Sequence, residues 1–220
     1  MLHQIHHPCY NNPFYLHNLE RRIQSFSYLA LLYHKHLVLH IWSDGNFIIE
    51  NGVAKVNFDC KPSLISIVKD IRKQDFKGPL LLRFPHITKK QIKTLFNTFN
   101  ASIKEYDYKG KFNAVFPLKV NQLPNFIHPL VSAGKKYSYG LEAGSKAELI
   151  IAMTYNNMGS PITINGFKDK EMIHLCFIAK SMGHNITIII EGLNELEMII
   201  EVAKETKLES PNIGLRVRLS

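Results

Sequence analysis

The clearest structural signal in the sequence is the run Asn185-Ile186-Thr187-Ile188-Ile189-Ile190, which is followed by an amphipathic stretch at residues 193–204. Short runs that are almost wholly apolar are typical of strands in parallel sheets. Strands that alternate with helical patterns every two dozen residues or so predict a parallel sheet of right-handed βαβ units. The other strand candidates begin near Phe112, Tyr137, Pro161 and Asn212, and the other helical patterns lie at residues 123–133, 145–156 and 168–182.

The absence of nucleotide-binding motifs narrows the choice between parallel folds. The sequence has neither a Gly-x-Gly-x-x-Gly run nor a Walker motif. A regular βα repeat without them favours part of a (βα)8 barrel over a doubly wound sheet. In a barrel, the active-site groups follow the carboxyl ends of the strands. The loops in these positions are residues 119–122, 142–145, 165–167, 191–192 and 216–218.

The loop that begins at Lys119 is the most informative of these five. It follows the apolar strand candidate at residues 112–118, so it is expected at the mouth of the barrel. Burial favours the neutral form of a lysine amine, and a neutral amine is a nucleophile. A lysine at a strand end can equally extend into solvent. The position of Lys119 alone leaves both interpretations open.

The composition changes along the chain and predicts three regions. Residues 1–41 are expected to be a poorly ordered, His-rich extension, since residues 1–40 hold seven of the 11 His and one acidic residue. Residues 42–110 are expected to be a mixed strand and helix region, with a hairpin at Asn51-Gly52. Residues 111–220 form the predicted barrel portion. The histidines lack carboxylate or cysteine partners nearby, so no metal site is predicted.

Charge and cysteine content bear on partners and compartment. The net charge of +9 comes without an Arg-rich run, an aromatic ladder or a zinc finger, so no nucleic-acid partner is predicted. Charged and imidazole side chains at residues 34–36 interrupt the apolar stretch at residues 28–42, so no membrane span is predicted. The 3 Cys cannot form a disulfide framework, which favours a reducing, cytoplasmic compartment.

Several longer segments match the sequence pattern of a known family in the same order along the chain. They are residues 42–47, 80–85, 116–122, 139–149, 164–169, 183–187, 190–196 and 212–219. Together they resemble the biosynthetic arginine decarboxylases, pyridoxal-phosphate enzymes with an alanine-racemase-like barrel. The resemblance implies an α/β chain with about five βα units of a partial (βα)8 barrel, preceded by a small mixed segment.

The family resemblance also implies residue roles. The lysine that matches Lys119 carries the cofactor and is catalytic, while Glu142, Ser145 and Arg216 match positions near the cofactor. Considered as residues alone, Glu142 could be a helix-start carboxylate and Ser145 a helix cap. The implied reaction is decarboxylation of L-arginine to agmatine, a step of polyamine biosynthesis, in a homo-oligomer. Mg²⁺ is a further cofactor of the family, for which the sequence offers no ligand set.

The resemblance covers residues 42–220 and stops within the fifth barrel strand of a considerably longer family. It therefore predicts an N-terminal portion that is inactive alone, without the glycine-rich phosphate loop and the C-terminal β-domain. That domain supplies a catalytic cysteine across a dimer interface in the family. One alternative is a small cofactor-handling protein that binds pyridoxal phosphate, although its lysine would lie near the chain start. Another is a non-catalytic partner of a full-length decarboxylase.

Overall fold

The computed structural model describes residues 6–7, 10–11, 14–15, 38–217 and 219. It divides into two compact units, Met1–Ile87 and Thr88–Ser220. Most of the predicted extension at residues 1–41 lies outside the described residues. The division of the chain into three regions therefore stays a prediction. The first unit ends inside the region predicted at residues 42–110.

The first unit consists, in its described part, of antiparallel strand pairs, helical residues 38–42 and one longer helix. The pairs are β1 (His6–His7) with β2 (Tyr10–Asn11), β3 (Phe14–Tyr15) with β6 (Leu81–Leu82), and β4 (Phe47–Glu50) with β5 (Val53–Val56). Asn51 and Gly52 turn the β4–β5 hairpin with positive φ at both positions, as the sequence predicts. Helix α1 (Leu64–Arg72) begins at Ser63, whose Oγ accepts a hydrogen bond from the Ser66 amide. The apolar core of this unit contains Val56, Ile67, Ile71, Leu80 and Leu82.

The second unit is built on five parallel strands. They are β7 (Val115–Pro117), β8 (Gly140–Ala143), β9 (Pro161–Ile164), β10 (Asn185–Ile190) and β11 (Asn212–Leu215). The helices are α2 (Pro85–Glu105), which begins in the first unit, α3 (Pro124–Gly134), α4 (Lys146–Tyr155), α5 (Lys170–Ser181) and α6 (Leu193–Thr206). Each strand pairs with its predecessor in the chain, which is the strand order of a (βα)8 barrel.

Burial alternates along the strands and shows which face the helices cover. Ile186, Ile188 and Ile190 of β10 are buried, whereas Asn185, Thr187 and Ile189 are half-buried. The buried set belongs to one core cluster with buried residues of α3, α4, α5 and α6. A doubly wound sheet carries helices on both faces, so this one-sided cover confirms the partial barrel.

Two predicted strands begin later than their apolar patterns do. Residues 112–114 precede β7, and the strand predicted near Tyr137 starts at Gly140, because residues 135–137 form a 3₁₀ turn. Strands β8 and β9 approach closely at Gly140, where a Cβ atom would overlap the Pro161 carbonyl group. Within the described residues, no helix is both long enough and apolar enough to cross a membrane.

Candidate functional site

The carboxyl edge of the parallel sheet brings two of the predicted site residues onto neighbouring strands. Pro117 of β7 pairs with Glu142 of β8. Lys119 lies two residues beyond Pro117, in the 3₁₀ turn Leu118–Val120. Lys119 and Glu142 are therefore both at the end of the sheet where barrel enzymes hold their active sites.

Lys119 is exposed in this chain. The preceding residue, Leu118, is fully buried in the core. The 3₁₀ turn therefore separates a buried side chain from an accessible amine. Of the two interpretations that the sequence leaves open, extension into solvent is the one that the described residues show.

Glu142 lies on the face of the sheet that the helices do not cover. It is half-buried, between the buried residues Leu141 and Ala143, and it pairs across the sheet with Thr163. The alternative role as a helix-start carboxylate is wrong for Glu142, because α4 begins only at Lys146.

Ser145 and Glu148 form the start of α4. The Ser145 Oγ accepts a hydrogen bond from the Glu148 amide at 3.2 Å. The Glu148 Oε2 accepts one from the Gly144 amide at 2.7 Å. This reciprocal arrangement is close to a capping box, so the predicted capping role of Ser145 is confirmed.

Arg216 follows β11, which lies at the other end of the strand order from β7, the strand before Lys119. Its backbone amide donates to the Ile190 carbonyl at 2.9 Å, which continues the β10–β11 pairing. Strands β7 and β11 are four strand spacings apart in the sheet order. At about 4.8 Å per spacing, this is about 19 Å measured along the sheet, and the curvature of a barrel-type sheet makes the direct distance shorter. The five strands thus align Lys119, Glu142 and Arg216 along one edge without bringing Arg216 next to the other two.

Sequence reasoning missed a polar network around Glu191, directly after β10. The Glu191 Oε1 accepts a hydrogen bond from the Gly166 amide at 2.7 Å, and its Oε2 lies 3.1 Å from Nη1 of Arg216. The Gly166 hydrogen bond, together with the charges of Arg216 and Lys168, lowers the pKa of Glu191 below its ordinary value. Glu191 therefore stays ionised and joins the ends of β9, β10 and β11.

Lys168 and Glu195 complete this network beneath Glu191. The Lys168 Nζ lies 3.2 Å from Glu195 Oε2, and the two side chains are 0% and 6% exposed. The Glu191 amide donates to the same Glu195 oxygen at 2.8 Å. A local signal for Glu195 existed, since a glutamate at the third position of a helix commonly accepts a hydrogen bond from the preceding turn. Nothing local identifies Lys168 as its partner.

Two further features of the described residues concern cysteine chemistry and metal binding. Burial raises the pKa of the Cys176 thiol to about 12, so it is not a nucleophile near neutral pH. In the described ranges, no three His, Cys, Asp or Glu side chains are grouped as a metal site requires.

Comparison with known proteins shows which family the chain is related to. No family model matches the chain. The biosynthetic arginine decarboxylase of Tolumonas auensis is 40% identical over 168 residues, which are 76% of this chain and 26% of that protein. The Vibrio cholerae enzyme of the same name is 35% identical over 191 residues, 83% of this chain and 30% of its own length. The crystal structure of the biosynthetic arginine decarboxylase from Campylobacter jejuni superimposes with a TM-score of 0.80 at 61% identity, over 82% of this chain and 31% of that one.

This chain is a relative of the biosynthetic arginine decarboxylases. It spans between 26% and 30% of the two curated arginine decarboxylases described above. The fold extends further than the arginine decarboxylases: the diaminopimelate decarboxylase of M. jannaschi superimposes with a TM-score of 0.56 at 22% identity. The sequential parallel strands of the second unit are thus a fold that two kinds of decarboxylase share.

Proposed function

We propose that this chain forms part of a pyridoxal-phosphate-dependent decarboxylase that converts L-arginine to agmatine and carbon dioxide. The observation that carries the proposal is the accessible Lys119 amine at the carboxyl edge of a barrel-type sheet, next to the strand that holds Glu142. The relation to arginine decarboxylases supports arginine as the substrate.

The residues at this edge fit the chemistry of the cofactor. Pyridoxal phosphate, when bound, supplies an electron-deficient ring that takes up the electron pair left when the carboxylate departs as carbon dioxide. Attachment needs an accessible amine, which Lys119 offers. The anionic and acceptor groups of such a ligand call for cationic partners, and Arg216 is a cation that binds planar anions well.

In the proposal, each residue has a separate task. Lys119 would hold the cofactor through its amine, in a position that the substrate amine would take during the reaction. Glu142, on the uncovered face of β8, accepts a hydrogen bond from the bound ligand. Ser145 Oγ accepts a hydrogen bond from the Glu148 amide. Its own O–H is a donor that can bind the ligand. After carbon dioxide leaves, a proton must reach the α-carbon, and the exposed Lys119 would deliver it.

Three finer expectations remain predictions. A cytoplasmic location and a homo-oligomer both come from the sequence analysis. Lack of activity in this chain by itself is the third. Mg²⁺ has no support among the described residues and is not part of the proposal.

The test is to add pyridoxal phosphate to the purified chain, reduce with borohydride and map the label by mass spectrometry. Stoichiometric label on Lys119 supports the proposal. Lys168 provides an internal control, since its fully buried side chain should remain unlabelled. The variant K119R should abolish the stoichiometric label, whereas K111R, at an exposed lysine before β7, should leave it unchanged.

Label scattered over many lysines, or no label, contradicts a cofactor site in this chain. Release of carbon dioxide from carboxyl-labelled arginine separates the alternatives. A cofactor-handling protein carries label on Lys119 but releases no carbon dioxide even when combined with the rest of an arginine decarboxylase. A non-catalytic partner carries no label and co-purifies with a complete decarboxylase.

A further inference from the structure

A closed ring of contacts holds Glu191 in place. The Glu191 Oε1 accepts from the Gly166 amide at 2.7 Å, and the Glu191 amide donates to Glu195 Oε2 at 2.8 Å. Glu195 pairs with Lys168, and the Lys168 amine donates back to the Gly166 carbonyl. Both the backbone and the side chain of Glu191 are therefore fixed, and Gly166 is held through its amide and its carbonyl.

Arg216 is attached to this ring from one side. Its Nη1 lies 3.1 Å from the second carboxylate oxygen of Glu191, and its side chain is 58% exposed while that of Glu191 is 30% exposed. A guanidinium has five N–H donors in one plane. The contact with Glu191 engages Nη1 and restricts the guanidinium, while the other donors remain available to a ligand at the carboxyl edge of the sheet.

The charges balance within the network. Lys168 and Arg216 are the cations, and Glu191 and Glu195 are the anions. The buried charges of Lys168 and Glu195 compensate each other, so they do not require Arg216 for charge balance. The Glu191 contact with Arg216 is therefore an addition to the ring, at an exposed position, where stability gains little from an ion pair.

We propose that Glu191 is a positioning residue whose carboxylate orients the Arg216 guanidinium to bind an anionic group of the ligand. This inference rests on the proposed function, in which Arg216 contacts the cofactor. The ring beneath Glu191 holds its carboxylate in one position. The carboxylate can therefore orient Arg216 before the ligand binds. A preorganised donor binds an anion more tightly than a freely rotating one.

The variants E191Q, R216K and the double variant test the inference. A glutamine has one oxygen acceptor, so E191Q retains at most one of the two contacts and loses the charge that attracts Arg216. The control is E148Q, because Glu148 also accepts a backbone amide hydrogen bond at 2.7 Å, from Gly144 after the neighbouring strand β8.

The first readout is the pyridoxal phosphate concentration that half-saturates Lys119 labelling. E191Q and R216K should each raise it about tenfold, the size expected for one hydrogen bond to a charged group. The double variant should raise it no further than either single variant, and E148Q should leave it unchanged. Additive effects of E191Q and R216K overturn the inference, because Glu191 then acts independently of Arg216.

The second readout does not depend on the cofactor. Phenylglyoxal modifies arginine, and mass spectrometry measures its rate at Arg216. The rate should rise severalfold in E191Q and stay unchanged in E148Q, with each protein assayed well below its own melting temperature. Equal rates of Arg216 modification in the chain without a substitution and in E191Q overturn the inference.

The two readouts separate failure of the inference from failure of the proposed function. Absence of Lys119 labelling in the unmodified chain contradicts the proposed function, and a faster Arg216 reaction in E191Q then still supports orientation by Glu191. Normal labelling together with no effect of E191Q on either readout overturns the inference and leaves the proposed function intact.

Discussion

The Nζ of Lys168 lies 3.2 Å from the Oε2 of Glu195, and both side chains are withdrawn from solvent. The pair joins the loop after β9 to the first turn of α6. Burial of two charges is tolerated here because each also has hydrogen bonds, Lys168 to the Gly166 carbonyl and Glu195 from the Glu191 amide. The carboxyl edge of the sheet is therefore held by electrostatics as well as by its apolar core.

Removal of one partner of this pair should be costly. We expect K168M to reduce the free energy of unfolding by about 3–5 kcal/mol, because it leaves the Glu195 charge buried and unpaired. The double variant K168M/E195L should be substantially more stable than K168M. Urea unfolding measures both. A double variant as unstable as the single one contradicts the pairing.

Stability should depend on pH through Glu191. Its pKa is lowered in the folded chain, first by the Gly166 amide, so the unfolded chain binds more protons in acid. The stabilisation is present above the ordinary glutamate pKa and is lost as the pH falls through the lowered value. The difference in melting temperature between the unmodified chain and E191Q should therefore shrink as the pH falls from about 6 to about 3. E197Q, at an exposed glutamate of α6, is the control.

Mutation of Ser145 should affect both the stability of the chain and the binding of pyridoxal phosphate. S145A should reduce the free energy of unfolding by about 1 kcal/mol, because the Glu148 amide loses its acceptor. S145D should restore stability, since aspartate also caps helices, but it lacks a hydroxyl proton to donate. Weaker pyridoxal phosphate binding in both variants supports a ligand contact. Normal binding in S145D limits Ser145 to the cap.

The Cys176 thiol should be unreactive in the folded chain. Burial raises its pKa to about 12, so almost no thiolate is present at pH 8. Iodoacetamide should not alkylate Cys176 at pH 8, as judged by peptide mapping, and should do so readily in urea. Alkylation of Cys176 in the folded chain at the rate seen in urea contradicts the burial of this side chain.

The strand and helix order of the second unit could be predicted from the sequence because periodicity is a local property. The run at residues 185–190 became β10, and the Asn51-Gly52 pair turned a hairpin. The strand ends were less predictable. Leu118 continues the apolar pattern of β7, yet it belongs to a 3₁₀ turn, since the same apolar side chain is buried equally well in either backbone form.

Local sequence patterns predict the alternation of strands and helices and the edge on which Lys119, Glu142 and Arg216 lie, and they offer Ser145 as a helix cap. Each of these depends on residues that are neighbours in the chain. The exposure of Lys119, the cover of one sheet face by the helices and the contact of Lys168 with Glu195 beneath Glu191 become visible in the folded chain alone. Those facts depend on which strands become neighbours, because burial and ion pairing are set by distances between segments that no local pattern records.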